Sequence, residues 1–306
     1  MAGENDRGTT PYHDDHTGYD LSAWSPELIR VTVRTMKIYG IDFTSAPSAK
    51  KPITCLECEL TGIELTAGTL TEWQSFEAFE RGLQRPGLWI AGIDFPFGQA
   101  RRFIETIFWP ETWHGYVTHA AKLGKAGFEQ ALDDYAACRP DGDKHHFRRD
   151  DKRANSQSPQ KLHFVPVGKM FFQGAPRLIE SGVTIPGLQQ GDPERIVVEA
   201  YPGVLARYLI GGRPYKAETK KGQTTEKHTA RQDILKTIET GKLAVHYGLT
   251  VSAPATLADD PTGDHLDALL CAIQAAWAWS KRDHSYGMPE VTDPLEGWIA
   301  DPMPGR

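Results

Sequence analysis

The chain has 306 residues, with 34 Lys and Arg against 40 Asp and Glu, and 40% of it is apolar. That length suits one elaborated domain or two modest ones, and 10% aromatic residues, including 8 Trp and 12 Phe, exclude a disordered chain. No run approaches the ~18 apolar residues of a membrane span, four cysteines are too few for a disulfide framework, and a formal net charge of −6 argues against a generic basic nucleic-acid binder.

Residues 1–34 read as a polar arm. The opening Met1-Ala2-Gly3-Glu4 lacks the apolar core of a signal peptide, so a reducing cytoplasm is the expected location. His13-Asp14-Asp15-His16 has metal-ligand residue types, but surface polarity accounts for it more simply. The arm also carries much of the net charge. Residues 1–30 hold six acids against two bases, residues 281–306 hold five against three, and the body between them is neutral. The deficit therefore does not exclude a nucleic-acid partner. It points instead to local phosphate contacts that weaken with salt.

Residues 35–43 read as a strand that delivers Asp42 at its end, Ile53 to Leu60 as a second strand, and Ile63 to Ala67 as a short third. Cys55 and Cys58 form a C-x-x-C, but three positions apart on a strand they face opposite ways, and no second pair exists to complete a zinc site. Thr71-Glu72-Trp73-Gln74 has the form of a capping box, so a helix is expected from Thr71 with Trp73, Phe76, Phe79 and Leu83 as its apolar face. Leu88 to Ile93 is wholly apolar, as a buried central strand should be, and is followed by Asp94.

Residues 99–190 break this rhythm and read as an insertion or cap, with one helix expected over Gly127 to Ala137. They include a basic stretch with His145, His146, Arg148, Arg149, Lys152 and Arg153, beside which Phe147 is placed to stack a base. Such a run is more often a solvated loop. Arg195 to Ala200 is the next buried strand, followed by a helix from Gly203 to Ile210. A Lys-rich loop with Lys216, Lys220 and Lys221 leads to a helix through Ile234, Leu235 and Ile238, and the last helix runs from Asp264 to Ser280. On it Ala268, Ala272 and Ala276, four apart, form a small-residue stripe for close packing on a sheet.

Four acids stand out. Asp42 and Asp94 end apolar strands, and Asp264 and Asp267 share one face of the last helix's first turn. For a single such acid, helix capping or a salt bridge is the simpler account. Four together repel one another and call for divalent cations, and hard oxygen donors select Mg²⁺ or Mn²⁺. Two such ions ~4 Å apart serve phosphodiester cleavage. Glu199 is open to two readings, a place in the metal shell or a bond to a neighbouring backbone amide. Lys216 is either a point charge for a phosphate or an exposed lysine.

The order of these elements, β-β-β-α-β-(insert)-β-α-α, resembles the ribonuclease H fold, an α/β architecture with a mixed five-stranded sheet flanked by helices. Gly40-Ile41-Asp42-Phe43-Thr44, Gly92-Ile93-Asp94-Phe95-Pro96, Val198-Glu199-Ala200-Tyr201-Pro202, Tyr215-Lys216, Asp264-His265-Leu266-Asp267-Ala268-Leu269 and Glu296-Gly297-Trp298-Ile299 are similar to the successive motifs of a group of predicted nucleases, domain of unknown function 429. The resemblance spans about residues 36–300. The D-x-x-D-A-L pattern is also similar to the final helix of Holliday-junction resolvases, many of which carry Glu where this chain has Asp94. The resemblance implies that Asp42, Asp94, Asp264 and Asp267 ligate metal, and Glu199 and Lys216 join them as candidate catalytic residues on the first of their two readings.

The expected organisation is an arm (1–34), a ribonuclease H-like core (35–98 and 191–280), the insertion (99–190) and a C-terminal tail docked on the core (281–306). The expected activity is metal-dependent hydrolysis of phosphodiester bonds in DNA or RNA. Nucleic acid is the expected partner, gripped by Arg148, Arg149, Lys152, Arg153, Lys220 and Lys221, and a homodimer is compatible with the sequence. The alternatives are a module of this fold that binds without catalysis, and a phosphotransferase of the actin or sugar-kinase type. The second lacks its glycine-rich loop, since Phe43-Thr44-Ser45-Ala46-Pro47 follows Asp42.

Overall fold

Met36–Asp42 forms strand β1, with Ile53–Thr61 (β2) antiparallel to it and Glu64–Trp73 (β3) antiparallel to β2. Trp89–Asp94 (β4) lies parallel on the other side of β1, and Asp192–Glu199 (β6) lies parallel to β4. The structure, a computed structural model, describes residues 35–217 and 219–302, which belong to the compact unit Arg34–Arg306. The arm and its His13–His16 run lie outside the described residues.

The five strands found in the sequence lie in the order β6-β4-β1-β2-β3, so the expected mixed sheet is an antiparallel meander continued by parallel strands. Two short strands that the sequence reading missed, Val183–Thr184 (β5) and Thr250–Ser252 (β7), extend the sheet to seven strands in the order β5-β6-β4-β1-β2-β3-β7. Helices cover both faces, and β1 shows the division. Met36 and Ile38 join a core built with the last helix, Asp264–Ser280 (α9 below), while Tyr39, Ile41 and Phe43 join an aromatic-rich core on the other side. Cys58 and Cys55 fall on these opposite sides, as strand alternation requires.

The helix after β3 departs from expectation. Thr71 and Trp73 belong to β3, and helix α1 begins at Phe76 and runs to Leu83. Its cap is Ser75, whose hydroxyl accepts a hydrogen bond from Ala78 N at 3.3 Å. Ser75→Ala should lower stability by about 0.5–2 kcal/mol, the ordinary cost of a lost cap, measurable by urea unfolding. Thr71→Ala should cost no cap at all, because Thr71 pairs with Cys55 in the sheet.

The segment 99–190 forms a layer of the fold rather than a cap above it. Arg101–Thr106 (α2), Trp113–Ala137 (α3), Arg149–Ala154 (α4) and Val167–Ser181 (α5) follow β4. Trp113, Tyr116, Phe128 and Phe171 are buried in the same core as Ile41, Ile93 and Val197 of the sheet. The helix expected over Gly127–Ala137 is the second half of α3, whose backbone breaks at Gly124 with φ +69°. After β6 come Pro202–Ile210 (α6), Thr225–Glu239 (α7), Leu243–His246 (α8) and the closing helix Asp264–Ser280 (α9). The chain then returns to the sheet, where Ala300 N donates to Glu199 O at 2.8 Å and Trp298 Nε1 to Pro186 O at 3.0 Å. Among the described residues, no helix is long and apolar enough to cross a membrane.

Candidate functional site

β1 and β4 run in register, with Gly40 beside Gly92 and Asp42 beside Asp94. Two-residue alternation puts all four on the α9 face of the sheet. A Cβ on Gly40 would overlap the carbonyl oxygen of Ala268 and the amide nitrogen of Ala272, and one on Gly92 would overlap the carbonyl oxygen of Cys271. Glycine at these two positions therefore lets the α9 backbone lie directly on the strands, and the alanine stripe completes the fit. The consequence is positional. Asp267, one residue ahead of Ala268, is carried to the strand ends, and carboxylate oxygens of Asp42, Asp94 and Asp267 lie within 4.8 Å of one another.

Asp267 is fully buried and is held from two sides. The Tyr215 hydroxyl donates to its Oδ1 at 2.7 Å, and the Lys216 ammonium contacts its Oδ2. Lys216 itself is exposed, with its head turned in toward the acids. Asp264 lies outside the tight group of three, but its charge acts on Asp42 and Asp94. Asp260 organises the approach to α9 by accepting from Thr262 N at 3.0 Å and His265 N at 3.2 Å.

The electrostatics follow from burial of like charges. Burial, reinforced by Asp264 and Asp94, pushes the Asp42 carboxyl well above the usual carboxylate range, and Lys216 offsets only part of this. Burial pushes Asp94 up to about 6, with Lys216 opposing and Asp264 adding. Burial also raises Asp264. For Lys216, desolvation of its inward-turned ammonium acts to lower the pKa, but the charges of Asp42, Asp94 and Asp264 outweigh it and hold the ammonium above its ordinary value. The donor set suits a divalent cation. It consists of hard carboxylate oxygens, converges on one point and carries more negative charge than Lys216 balances.

Sequence reasoning placed Arg148 on a nucleic-acid clamp, and the structure corrects this. Arg148 is 2% exposed and sits between two buried acids. Its guanidinium donates to Glu199 Oε2 at 2.7 Å and Oε1 at 2.5 Å, and to Asp151 Oδ1 at 2.8 Å. Phe97 N also donates to Glu199 Oε2 at 2.9 Å. Glu199 thus takes the backbone-binding role that was one of its two readings, with Arg148 as a partner the sequence did not reveal. Burial pushes Glu199 up to about 7 against the pull of Arg148. Arg148 is held above its usual value by Asp151 and Glu199 despite burial. Three N–H donors on one carboxylate favour the ionised pair. Glu199→Gln keeps the size but weakens the pair, and should cost about 1–3 kcal/mol, read as a lower urea midpoint. The same substitution should leave Mn²⁺ affinity unchanged, because Glu199 is outside the tight group.

Arg149 ties the insertion to the C-terminal segment, its amide donating to Glu296 Oε2 at 2.9 Å and its guanidinium to Val291 O at 2.8 Å. Lys152 and Arg153 are exposed on α4, and Lys220 and Lys221 on a short 3₁₀ turn before α7. The site residues that sequence reasoning missed are Tyr215 and the two glycines. The repeated G-I-D of Gly40-Ile41-Asp42 and Gly92-Ile93-Asp94 was the visible signal for the glycines, and the Tyr215-Lys216 pair for the tyrosine.

A family model described as "Protein of unknown function (DUF429)" matches residues 40–293. Comparison with curated proteins and with solved structures finds no match.

Proposed function

We propose, for a chain that belongs to this family of unknown function, that it is a metal-dependent nuclease acting on phosphodiester bonds of DNA or RNA. One observation carries the reading: Asp42, Asp94 and Asp267, from two strands and a helix, bring carboxylate oxygens within 4.8 Å of one another at the carboxyl edge of the sheet. Sites in open α/β sheets collect at this edge. Asp42, Asp94 and Asp267 would hold Mg²⁺ or Mn²⁺, with Asp264 adding negative potential. When bound, such ions supply an activated water and charge stabilisation for the leaving oxygen. The chain's own groups orient the site. Tyr215 fixes the Asp267 carboxylate through Oδ1, as an outer-shell donor does. Lys216 presents a cation beside the acids, where a scissile phosphate would arrive.

A second reading rests on the same Lys216. Its ammonium on Asp267 already neutralises one carboxylate, as a site that binds nucleic acid without cleaving it would retain. Manganese titration of the full chain by electron paramagnetic resonance, paired with cleavage assays on single-stranded, duplex, branched and hybrid substrates, separates the two. Saturable Mn²⁺ binding with cleavage supports the nuclease. Binding of metal or nucleic acid without cleavage of any substrate leaves the second reading, and no Mn²⁺ binding at millimolar concentration overturns the metal site.

A further inference from the structure

Lys216 leaves the main chain at a pinned point. Its neighbours Tyr215 and Ala217 are buried. Tyr215 O accepts from the Arg231 guanidinium at 2.8 Å, and Arg231, itself buried, also donates to Ala258 O at 2.8 Å. The side chain of Lys216, by contrast, is 41% exposed. Its stem passes over the N-terminal end of α9, where glycine makes room for it: a Cβ on Gly263 would lie 3.0 Å from Lys216 Cγ. A long, flexible stem on a fixed backbone lets the ammonium change place without repacking the core.

The ammonium is turned inward, onto Asp267 Oδ2. Tyr215 holds the other oxygen, Oδ1. Oδ2 is buried and, this ion pair apart, has no hydrogen-bond partner among the described residues. The α9 dipole is positive at this end and repels an ammonium, so the carboxylates rather than the helix hold Lys216 in. Asp267 is also one of the three acids whose oxygens converge. An ammonium and a divalent cation on one carboxylate are like charges a few ångströms apart, and they repel. A small dication such as Mg²⁺ gives up its water reluctantly, so it needs carboxylate oxygens that are offered outright. The two cations therefore compete for Asp267.

We propose that Lys216 is an internal counter-ion which a divalent cation must displace: its ammonium rests on Asp267 and swings out to the surface when the cation is taken up. The inference rests on the metal-site reading of Asp42, Asp94 and Asp267 and adds what controls the loading of that site. In the outward position the ammonium is available to a phosphate, the role it has in the cleavage reading. The full chain is titrated with Mn²⁺ and the bound ion is read by electron paramagnetic resonance. Lys216→Met keeps the stem and removes the charge, and should bind Mn²⁺ about tenfold more tightly than wild type, because two ligands that exclude each other are coupled reciprocally. Lys216→Arg keeps a cation and should not show the gain.

A second measurement needs no substitution. Wild type is treated with acetic anhydride and the acetylated lysines are quantified by peptide mass spectrometry, with Lys220 and Lys221, exposed on the same loop, as internal reference. Lys216 should be protected relative to them in EDTA and should approach their reactivity in saturating Mn²⁺. The proposal is overturned if Lys216→Met binds Mn²⁺ no more tightly than wild type, if Lys216→Arg shows the same gain, or if Mn²⁺ leaves the protection of Lys216 unchanged. Equal affinity in Lys216→Met would leave Lys216 a phosphate contact alone, and weaker affinity would make it a support of the site. Wild-type Mn²⁺ binding without the gain in Lys216→Met sinks this proposal and spares the nuclease reading. No Mn²⁺ binding by wild type or Lys216→Met at millimolar concentration sinks the metal site, and this proposal with it.

Discussion

Asp42→Asn should abolish metal-dependent cleavage and Mn²⁺ binding while raising the thermal midpoint of the metal-free protein. The two effects have one cause. Asp42 is half-buried beside Asp264 and Asp94 and is pushed well above the usual carboxylate range, so its ionised form is disfavoured in the metal-free fold. Removing the charge relieves the repulsion and removes a ligand. Asp94 sets the scale. A carboxyl moved from 3.8 to about 6 corresponds to a penalty on the order of 1–3 kcal/mol at neutral pH. For a chain of this size that is a rise of several degrees, at ~2–4 °C per kcal/mol. Ordinary substitutions at buried positions destabilise, so a gain in stability with total loss of activity is a specific signature. A lower midpoint for both Asp42→Asn and Asp94→Asn would refute the electrostatic account.

The pH dependence follows from the same shifts. A carboxyl whose pKa is higher folded than unfolded favours the folded state while protonated. Its contribution is fully present below the unfolded value of ~3.9 and is lost as pH rises through the folded value. For Asp94 that window runs from about 4 to about 6. The midpoint difference between Asp94→Asn and metal-free wild type should therefore be near zero at pH 4 and grow to its full size by pH 7. Saturating Mn²⁺ should shrink or reverse the difference, because the cation stabilises only the chain that binds it. Scanning calorimetry at pH 4, 5, 6 and 7, with EDTA or Mn²⁺, reads this directly.

The parts of this site that were legible in the sequence were those encoded locally. An apolar run ending in Asp marks a buried strand that delivers a carboxylate, and β1 and β4 do this. Asp264 and Asp267 at i and i+3 ahead of an unbroken apolar stretch mark a buried helix, and α9 has the expected bounds. Local ambiguity produced the error at Thr71. T-E-W-Q satisfies a capping box, but the same residues continue an alternating strand whose outward face is solvated, and pairing with β2 outweighed the cap. Strands of two and three residues, β5 and β7, are too short for any period to show. Partnerships distant in sequence were invisible for a different reason. Arg148 meets Glu199 across 51 residues and Tyr215 meets Asp267 across 52. A basic run beside aromatic residues looks the same whether its arginine faces phosphate or a buried carboxylate, and only the three-dimensional packing distinguishes them.

Gly40→Ala should be the most damaging single-methyl change near the site, at or beyond the ~1–3 kcal/mol of ordinary overpacking. The reason lies in which atoms obstruct. The added methyl would overlap the Ala268 carbonyl oxygen and the Ala272 amide nitrogen, and these are backbone atoms of a helix packed on β1, β2 and β4. A side chain can rotate away, whereas a helix backbone must move as a body and take Asp267 with it. Loss of stability and loss of Mn²⁺ binding should therefore come together, in contrast to Asp42→Asn, where they separate. Ala268→Gly should not rescue Gly40→Ala, because deleting the Ala268 methyl leaves its carbonyl oxygen in place. Gly212→Ala is the control, since an added Cβ there meets nothing within 4 Å, and it should fall within about 0.5 kcal/mol of wild type, as surface changes do. Urea unfolding of the three variants, with Mn²⁺ titration of each folded one, is the measurement. A Gly40→Ala protein with a wild-type midpoint and intact metal binding would show that α9 does not depend on that glycine for its approach.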